Sequence, residues 1–325
     1  MNPPILYIVI PCYNEQEVLP ITSNLFLKKI EQLTLENKVS EQSRVLFVND
    51  GSKDNTWQVI LDLCKQNPIF QGVCLSRNRG HQNALLAGLM TARKYADVTI
   101  SIDCDGQDDI NTMDDMLSEF AGGCDIVYGV RSKRETDTWF KRSTAEGFYK
   151  VMKTLGADIV FNHADYRLMS RRALEGLAQF HEVNLFLRGL VPMVGYRYSS
   201  VYYERAERIA GESHYPLKKM LAFAFDGITS LSIKPIRIIT TLGFFISLLS
   251  IVGIIWVLVT NALGLTVSGW TSMLCSVFFM GGVQLLSLGI IGEYIGKIYT
   301  ETKHRPRFII QQTTLSEDVD VKDYE

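Results

Sequence analysis

The sequence predicts an α/β protein: a Rossmann-like, mostly parallel sheet domain, followed by interfacial helices and a two-helix transmembrane hairpin. Three observations predict it. Short β-branched runs alternate with helix-like stretches through the first 200 residues. Polar clusters follow four successive runs, at what would be one edge of a parallel sheet. From Ile238 to Gly292, 55 residues pass without Asp, Glu, Lys, Arg or His.

The expected strands are "ILYIVIP" (5–11), "RVLFVND" (44–50), "QGVCLS" (71–76), "DVTISID" (97–103) and "CDIVYGV" (124–130). Helical patterns follow most of them, at 17–35, 56–65, 81–93 and 111–120. The clusters after the first four strands are "PCYNE", "NDGSKDNT", "SRNRGHQNA" and "DCDGQDD". Open α/β sheets collect ligands at the carboxyl ends of their strands, so four clusters at one edge point to a site. The lone histidines His81, His163 and His181 have no partner at ligand spacing and read as structural. The aromatic and apolar residues Phe140, Phe148, Val151, Met152 and Leu155 recur at helical spacing and read as packing.

The acidic run is the most demanding feature. Asp103, Asp105, Asp108 and Asp109 fall within seven positions directly after a strand. Crowded carboxylates repel and lose hydration on burial. The run departs from an EF-hand, with Asp108 where that loop needs Gly and a strand where it needs a helix. A hard divalent ion, Mg²⁺ or Mn²⁺, held by few carboxylates and completed by phosphate oxygens, accounts for the cluster. No G-x-G-x-x-G follows a strand and no G-x-x-x-x-G-K-[ST] occurs, so dinucleotide and P-loop sites are not expected.

The charge-free run divides at "TNALGLTVSGWT" (260–271) into two segments, each long enough as a helix to cross ~30 Å of hydrocarbon. Lys218, Lys219, Lys234 and Arg237 precede the first, and Lys297, Lys303, Arg305 and Arg307 follow the second. The loop between them has no basic residue, so both flanks and both termini are expected in the cytoplasm. The stretch "HYPLKKMLAFAFDGITSLS" reads as an interfacial amphipathic helix. The expected organisation is a catalytic domain over 1–210, juxtamembrane helices over 211–235, spans at 236–260 and 270–292, and a cytoplasmic tail over 293–325, ending in an acidic, disordered segment. The six cysteines are scattered without metal-ligand or disulfide spacing. The N-terminal apolar run is too short for a signal peptide, so the membrane is expected to be reached from the C-terminal side. A net charge of −2 gives no signal for nucleic acid.

"IPCYNE", "VNDGSKDNT", "NRGHQNALLAGL", "DCDGQ" and "ADYRLMSRRAL", in this order and ahead of two spans, resemble the polyprenyl-phosphate glycosyltransferases. These are the bactoprenol glucosyltransferase and dolichol-phosphate mannose synthase group of inverting glycosyltransferase family 2. The resemblance runs to about residue 310. It implies a GT-A fold that moves a sugar from a nucleotide diphosphate, with UDP-glucose or UDP-N-acetylglucosamine favoured, to undecaprenyl or dolichyl phosphate at the cytoplasmic face of the cell membrane. It implies that Pro11, Tyr13, Asn14, Glu15 and Asp50, with Asp103, hold the nucleotide sugar. Asp103, Asp105 and Gln107 would form the metal region, with Asp105 and Asp165 catalytic. Arg131, Arg142, Arg205 and Arg208 would grip phosphates, as bidentate guanidinium groups do. His214 stands in the juxtamembrane motif where relatives often carry Lys, which would make phosphate binding there sensitive to pH near neutrality. Relatives that form tetramers make a homo-oligomer an expectation.

Asp165 is expected to orient the sugar, or to stabilise charge at the anomeric carbon, rather than to accept a proton; pairing with Arg167 or Arg171 is the purely structural alternative. Three other readings compete. A processive polysaccharide synthase would carry Q-x-x-R-W and more spans, neither of which is present. A nucleotidylyltransferase would show a Gly-rich loop where "PCYNE" stands. A nonenzymatic scaffold or flippase with a nucleotide-sensing domain would have only two spans for a path.

Overall fold

The computed structural model of the chain describes residues 3–132, 163–204, 234–263 and 270–315. Arg142, Arg205, Arg208 and His214 lie outside these residues, as do the aromatic stretch at 140–155, the interfacial stretch up to residue 233 and the acidic tail beyond Leu315.

Residues divide into two compact units. The larger contains, in chain order, β1 (Leu6–Cys12), α1 (Leu19–Leu35), β2 (Arg44–Asn49), α2 (Thr56–Gln66), β3 (Phe70–Leu75), α3 (His81–Ala92), β4 (Val98–Ser101), α4 (Thr112–Ala121) and β5 (Ile126–Arg131). It continues with β6 (His163–Ser170), α5 (Arg171–Ala178), α6 (Leu187–Met193) and β7 (Tyr198–Tyr203). After α7 (Lys234–Ala262) and α8 (Trp270–Thr302), which belong to the second unit, the chain returns to the first as β8 (Ile310–Thr313).

The strands form one eight-stranded sheet in the order β7-β5-β6-β4-β1-β2-β3-β8. β1 pairs in parallel with β2 and β4, and β2 with β3. All five strands expected from the sequence are present, each bounded within two residues of its expected ends. Their residues alternate between the two faces, and both faces are covered. Leu6, Ile8 and Ile10 of β1 pack with Phe26 and Leu33 of α1, Ile60 of α2 and Met116 of α4. Tyr7 and Val9 pack with Leu85 and Leu89 of α3, Leu174 of α5 and Leu190 of α6. A strand buried on both sides reads as a continuous apolar run, which is why these were visible. α3 lies close to the sheet: a Cβ on Gly88 would run into Val9 Cγ1 and Val48 Cγ2.

Two strands depart from simple alternation. β6 inserts between β4 and β5 and is antiparallel to both. An antiparallel strand begins where its parallel neighbours end, so β6 carries Asp165 to the carboxyl edge, where the Ser101 hydroxyl donates to the Asp165 carbonyl at 2.5 Å. β8 pairs antiparallel with β3 and closes that edge of the sheet. The sequence reading places both the last turns of α8 and β8 in a tail. Instead Phe308 and Leu315 are buried in the α3-side core, Trp57 Nε1 donates to Gln312 Oε1 at 2.6 Å, and Arg307 donates to the Phe180 carbonyl at 2.9 Å. Phe308→Ala is expected to cost about 3 kcal/mol of stability by emptying this contact. Thermal unfolding of the purified protein measures it; an unchanged melting temperature would mean the Phe308 contact ahead of β8 adds nothing to the fold.

In the second unit, α7 spans 29 residues and α8 spans 33. Among the described residues one stretch, Phe279–Thr302, is long and apolar enough to cross a membrane, with mean hydropathy 1.3. Phe244, Leu249, Leu285 and Leu288 are exposed, an exterior that suits lipid better than water.

Candidate active site

The first two loops at the carboxyl edge are laced together. Asn14, with φ of 56°, donates its N–H to Ser52 Oγ and accepts from the Lys53 N–H, while the Glu15 N–H donates to Thr56 Oγ1 at 2.8 Å. Pro11 pairs with Val48 one residue before the end of β1, and Tyr13 is exposed. Asp50 is buried and faces the third loop: its two carboxylate oxygens accept from the N–H groups of Arg79 (2.7 Å) and Gly80 (2.9 Å). Burial pushes its carboxyl up, against those two backbone bonds. Gly80 has φ of +86°, a backbone state that favours glycine, and this turn delivers both N–H groups to Asp50 before α3 begins. Each Asp50 oxygen keeps further acceptor capacity, but its first task here is to fix the loop.

The acidic run proves to be three different things. Asp109 accepts from the Asn111 N–H at the start of α4. Asp108 turns inward, where one oxygen accepts from the Tyr203 hydroxyl (2.7 Å) and Arg131 Nη2 (3.2 Å). Its other oxygen is buried without a partner among the described residues. Arg131, expected on a phosphate, is therefore engaged with Asp108 and with the Tyr203 oxygen. Asp103 and Asp105 are partly exposed, and Asp105 accepts from the Gln107 N–H at 3.1 Å. Gln107 itself is buried.

Asp165 sits in a cationic clamp. Arg167, 1% exposed, donates to it at 2.8 Å; Arg188 donates through Nη2 at 3.1 Å and Nε at 3.3 Å; His81 Nε2 stands 3.5 Å away. Burial alone would raise this carboxyl, but the His81 contact and the Arg188 and Arg167 charges hold it well below the usual range. Arg171 pairs instead with Asp97 at 3.3 Å. His81 also lies 3.7 Å from Asp103 Oδ1, so one ring joins the two acids. Partial desolvation opposes its charge, although the side chain is 43% exposed, yet contact with Asp165 and the nearby Asp103 raises its pKa.

Thus His81, read from sequence as structural, belongs to the candidate site, and Arg188 and Gln82 were not singled out at all. Their partners are distant in the chain, so no spacing could reveal them. The available signal was that "HQ" opens a helix directly after a polar loop at the carboxyl edge.

A divalent ion is implied by the resemblance, and the donors can be tested against it. Among the described residues no group of three or more His, Cys, Asp or Glu side chains forms a metal cage. Partial desolvation raises the Asp103 carboxyl, and the charges of Asp108, Asp165 and Asp105 add to the rise despite His81. Two hard oxygen donors with surplus negative charge fit an ion that draws its remaining ligands from phosphate and water.

A Rossmann-like mixed sheet with acids and cations gathered at its carboxyl edge defines a GT-A type fold. The chain belongs to glycosyl transferase family 2, whose pattern matches residues 7–177, and the GtrB C-terminal hairpin matches 234–298. It is a glycosyltransferase, which sets the scaffold reading aside. It is 51% identical to the uncharacterized glycosyltransferase YkoT of Bacillus subtilis (strain 168), over 94% of this chain and 91% of that protein. It is 39% identical to the bactoprenol glucosyl transferase of Shigella phage SfV, over 94% of this chain and 97% of that one. Among solved structures, mannosyl-3-phosphoglycerate synthase from Rubrobacter xylanophilus is similar at 15% identity and a TM-score of 0.48, over 74% of this chain and 75% of that one.

Proposed function

We propose that the protein transfers a glucosyl group, with N-acetylglucosamine the alternative, from its UDP conjugate to undecaprenyl phosphate at the cytoplasmic face of the membrane, with inversion. The observation that carries this reading is the near full-length match to a bactoprenol glucosyl transferase, hairpin included. In this reading residues 1–210 form the cytoplasmic domain, with 305–315 returning to it. Segments 236–260 and 270–292 cross the bilayer, and the basic flanks keep both ends inside.

The chemistry explains the distribution of charge. A lipid phosphate has a second pKa of about 6 and is already largely a dianion, so it needs no strong base. The hard step is bringing two phosphate groups to one anomeric carbon in line. Asp103 and Asp105 would hold Mg²⁺ or Mn²⁺, which when bound supplies charge neutralisation to the departing diphosphate. The laced loops around Tyr13, Asn14 and Glu15 hold the nucleoside side of the donor. Asp165, kept ionised by Arg167 and Arg188, is a poor proton acceptor and a good electrostatic partner for positive charge growing at the anomeric carbon. His81, between Asp103 and Asp165, lines the sugar position from the helix side. Arg131, Arg142, Arg205, Arg208 and His214 remain the candidates for the acceptor phosphate, Arg131 after release from Asp108.

Membranes containing the protein, offered a mixture of radiolabelled nucleotide sugars and undecaprenyl phosphate, should yield one labelled organic-extractable lipid. Mass spectrometry identifies the sugar, and EDTA should abolish its formation. No lipid-linked product with any donor would refute the reading.

A further inference from the structure

Gln82 is the second residue of α3 and makes one long-range bond. Its Oε1 accepts from the Leu187 N–H at 2.8 Å. Leu187 opens α6, a helix of seven residues with no other side-chain cap. Helices that short do not hold themselves together in isolation, and their first N–H groups need outside partners. The Leu187 carbonyl is held too, by Arg167 Nη1 at 3.4 Å. Leu187, the residue before Arg188, is therefore held at both its backbone N–H and its backbone carbonyl.

That matters because Arg188 cannot rely on burial for its pose. Its side chain is 30% exposed, whereas Arg167, on the same carboxylate, is 1% exposed. A long side chain with water available loses rotamer entropy to stay on one partner. Fixing the backbone from which it springs narrows the positions its guanidinium can reach. The residue before Gln82 is His81, which contacts Asp165 directly. The two residues before that, Arg79 and Gly80, hold Asp50. Four consecutive residues thus tie the nucleoside-side acid to the sugar-side acid and to its arginine.

We propose that Gln82 is a positioning residue for sugar transfer: by capping α6 it sets Arg188 on Asp165 and thereby aims that carboxylate at the reacting sugar. The inference rests on the reading of Asp165 as the sugar-side acid. It concerns the orientation of the transferred group, not the affinity for the nucleotide.

The test uses the full-length protein in membranes or detergent. Gln82→Met keeps length and bulk but removes the acceptor; Gln82→Glu keeps an acceptor oxygen. Gln82→Met is expected to lower kcat about tenfold, since small misplacements at a reacting centre are costly, with donor KM and UDP affinity within twofold. Gln82→Glu should restore most of that loss. In an Arg188→Ala background Gln82→Met should add little, because both act through one contact. Wild-type kcat in Gln82→Met, a change confined to donor KM, no rescue by Glu, or full additivity with Arg188→Ala would each overturn the proposal. Asp165→Asn separates the two levels. If that variant is inactive while Gln82→Met behaves as wild type, the cap alone fails. If it is fully active, the underlying reading of the site fails.

Discussion

Replacing Asp165 with Asn is expected to lower kcat at least about a hundredfold while leaving nucleotide-sugar affinity within a few-fold. Asn preserves the shape of the side chain and removes its charge. The charge is what two arginines and a histidine are arranged around, and in the proposed function it faces the positive charge that grows at the anomeric carbon. The substitution also removes the countercharge of the Arg167 guanidinium, which is 1% exposed and otherwise bonds the neutral Leu187 carbonyl. Breaking a buried pair in this way costs on the order of 3–5 kcal/mol. A lower melting temperature should therefore accompany the kinetic loss, and kcat should be measured at a temperature where the variant is folded, with UDP binding as the check. Full activity in folded Asp165→Asn would remove Asp165 from the transfer step.

The second large effect is expected at Asp103 and Asp105. Asn at either position should reduce transfer at least about a hundredfold at saturating Mn²⁺. Stability should move the other way. Asp103 sits among Asp105, Asp108 and Asp165, and its charged form is disfavoured by burial and by those neighbours. A neutral side chain relieves that repulsion, so Asp103→Asn should melt no lower than wild type in EDTA. Function lost with stability kept or gained is the signature of carboxylates retained for a ligand rather than for folding. Loss of both together would instead make the cluster structural.

The parts of this protein that were legible in its sequence share a physical cause. β1 to β5 are buried on both faces or nearly so, and an uninterrupted apolar run signals that directly. The polar clusters after them were legible because a parallel sheet sends all such loops to one edge. β6 was hidden because Asp165 and Arg167 interrupt its hydrophobic pattern, and a fully buried arginine breaks the rule by which strands are read. β8 was hidden by its brevity and by its position after a long apolar helix. Within the site, composition identified the acids but could not distribute them. Asp108 and Asp109 look like Asp103 and Asp105 in one dimension, yet one is tied to Tyr203 and the other accepts from the Asn111 N–H in the turn ahead of α4. His81 and Arg188 acquire meaning only through contacts with Asp165, which pairing across the sheet creates.

The central claim is that Asp103 and Asp105 are tolerated at the sheet edge because a divalent ion links them to the donor's diphosphate. Calorimetric titration of UDP into the full-length protein, with Mn²⁺ and then with EDTA, tests it most directly. The account predicts that chelation weakens binding at least about tenfold in the wild type, as expected when an ion bridges carboxylate and phosphate, and that Asp103→Asn binds weakly in both conditions. Equal UDP affinity with and without the metal in the wild-type protein would contradict it.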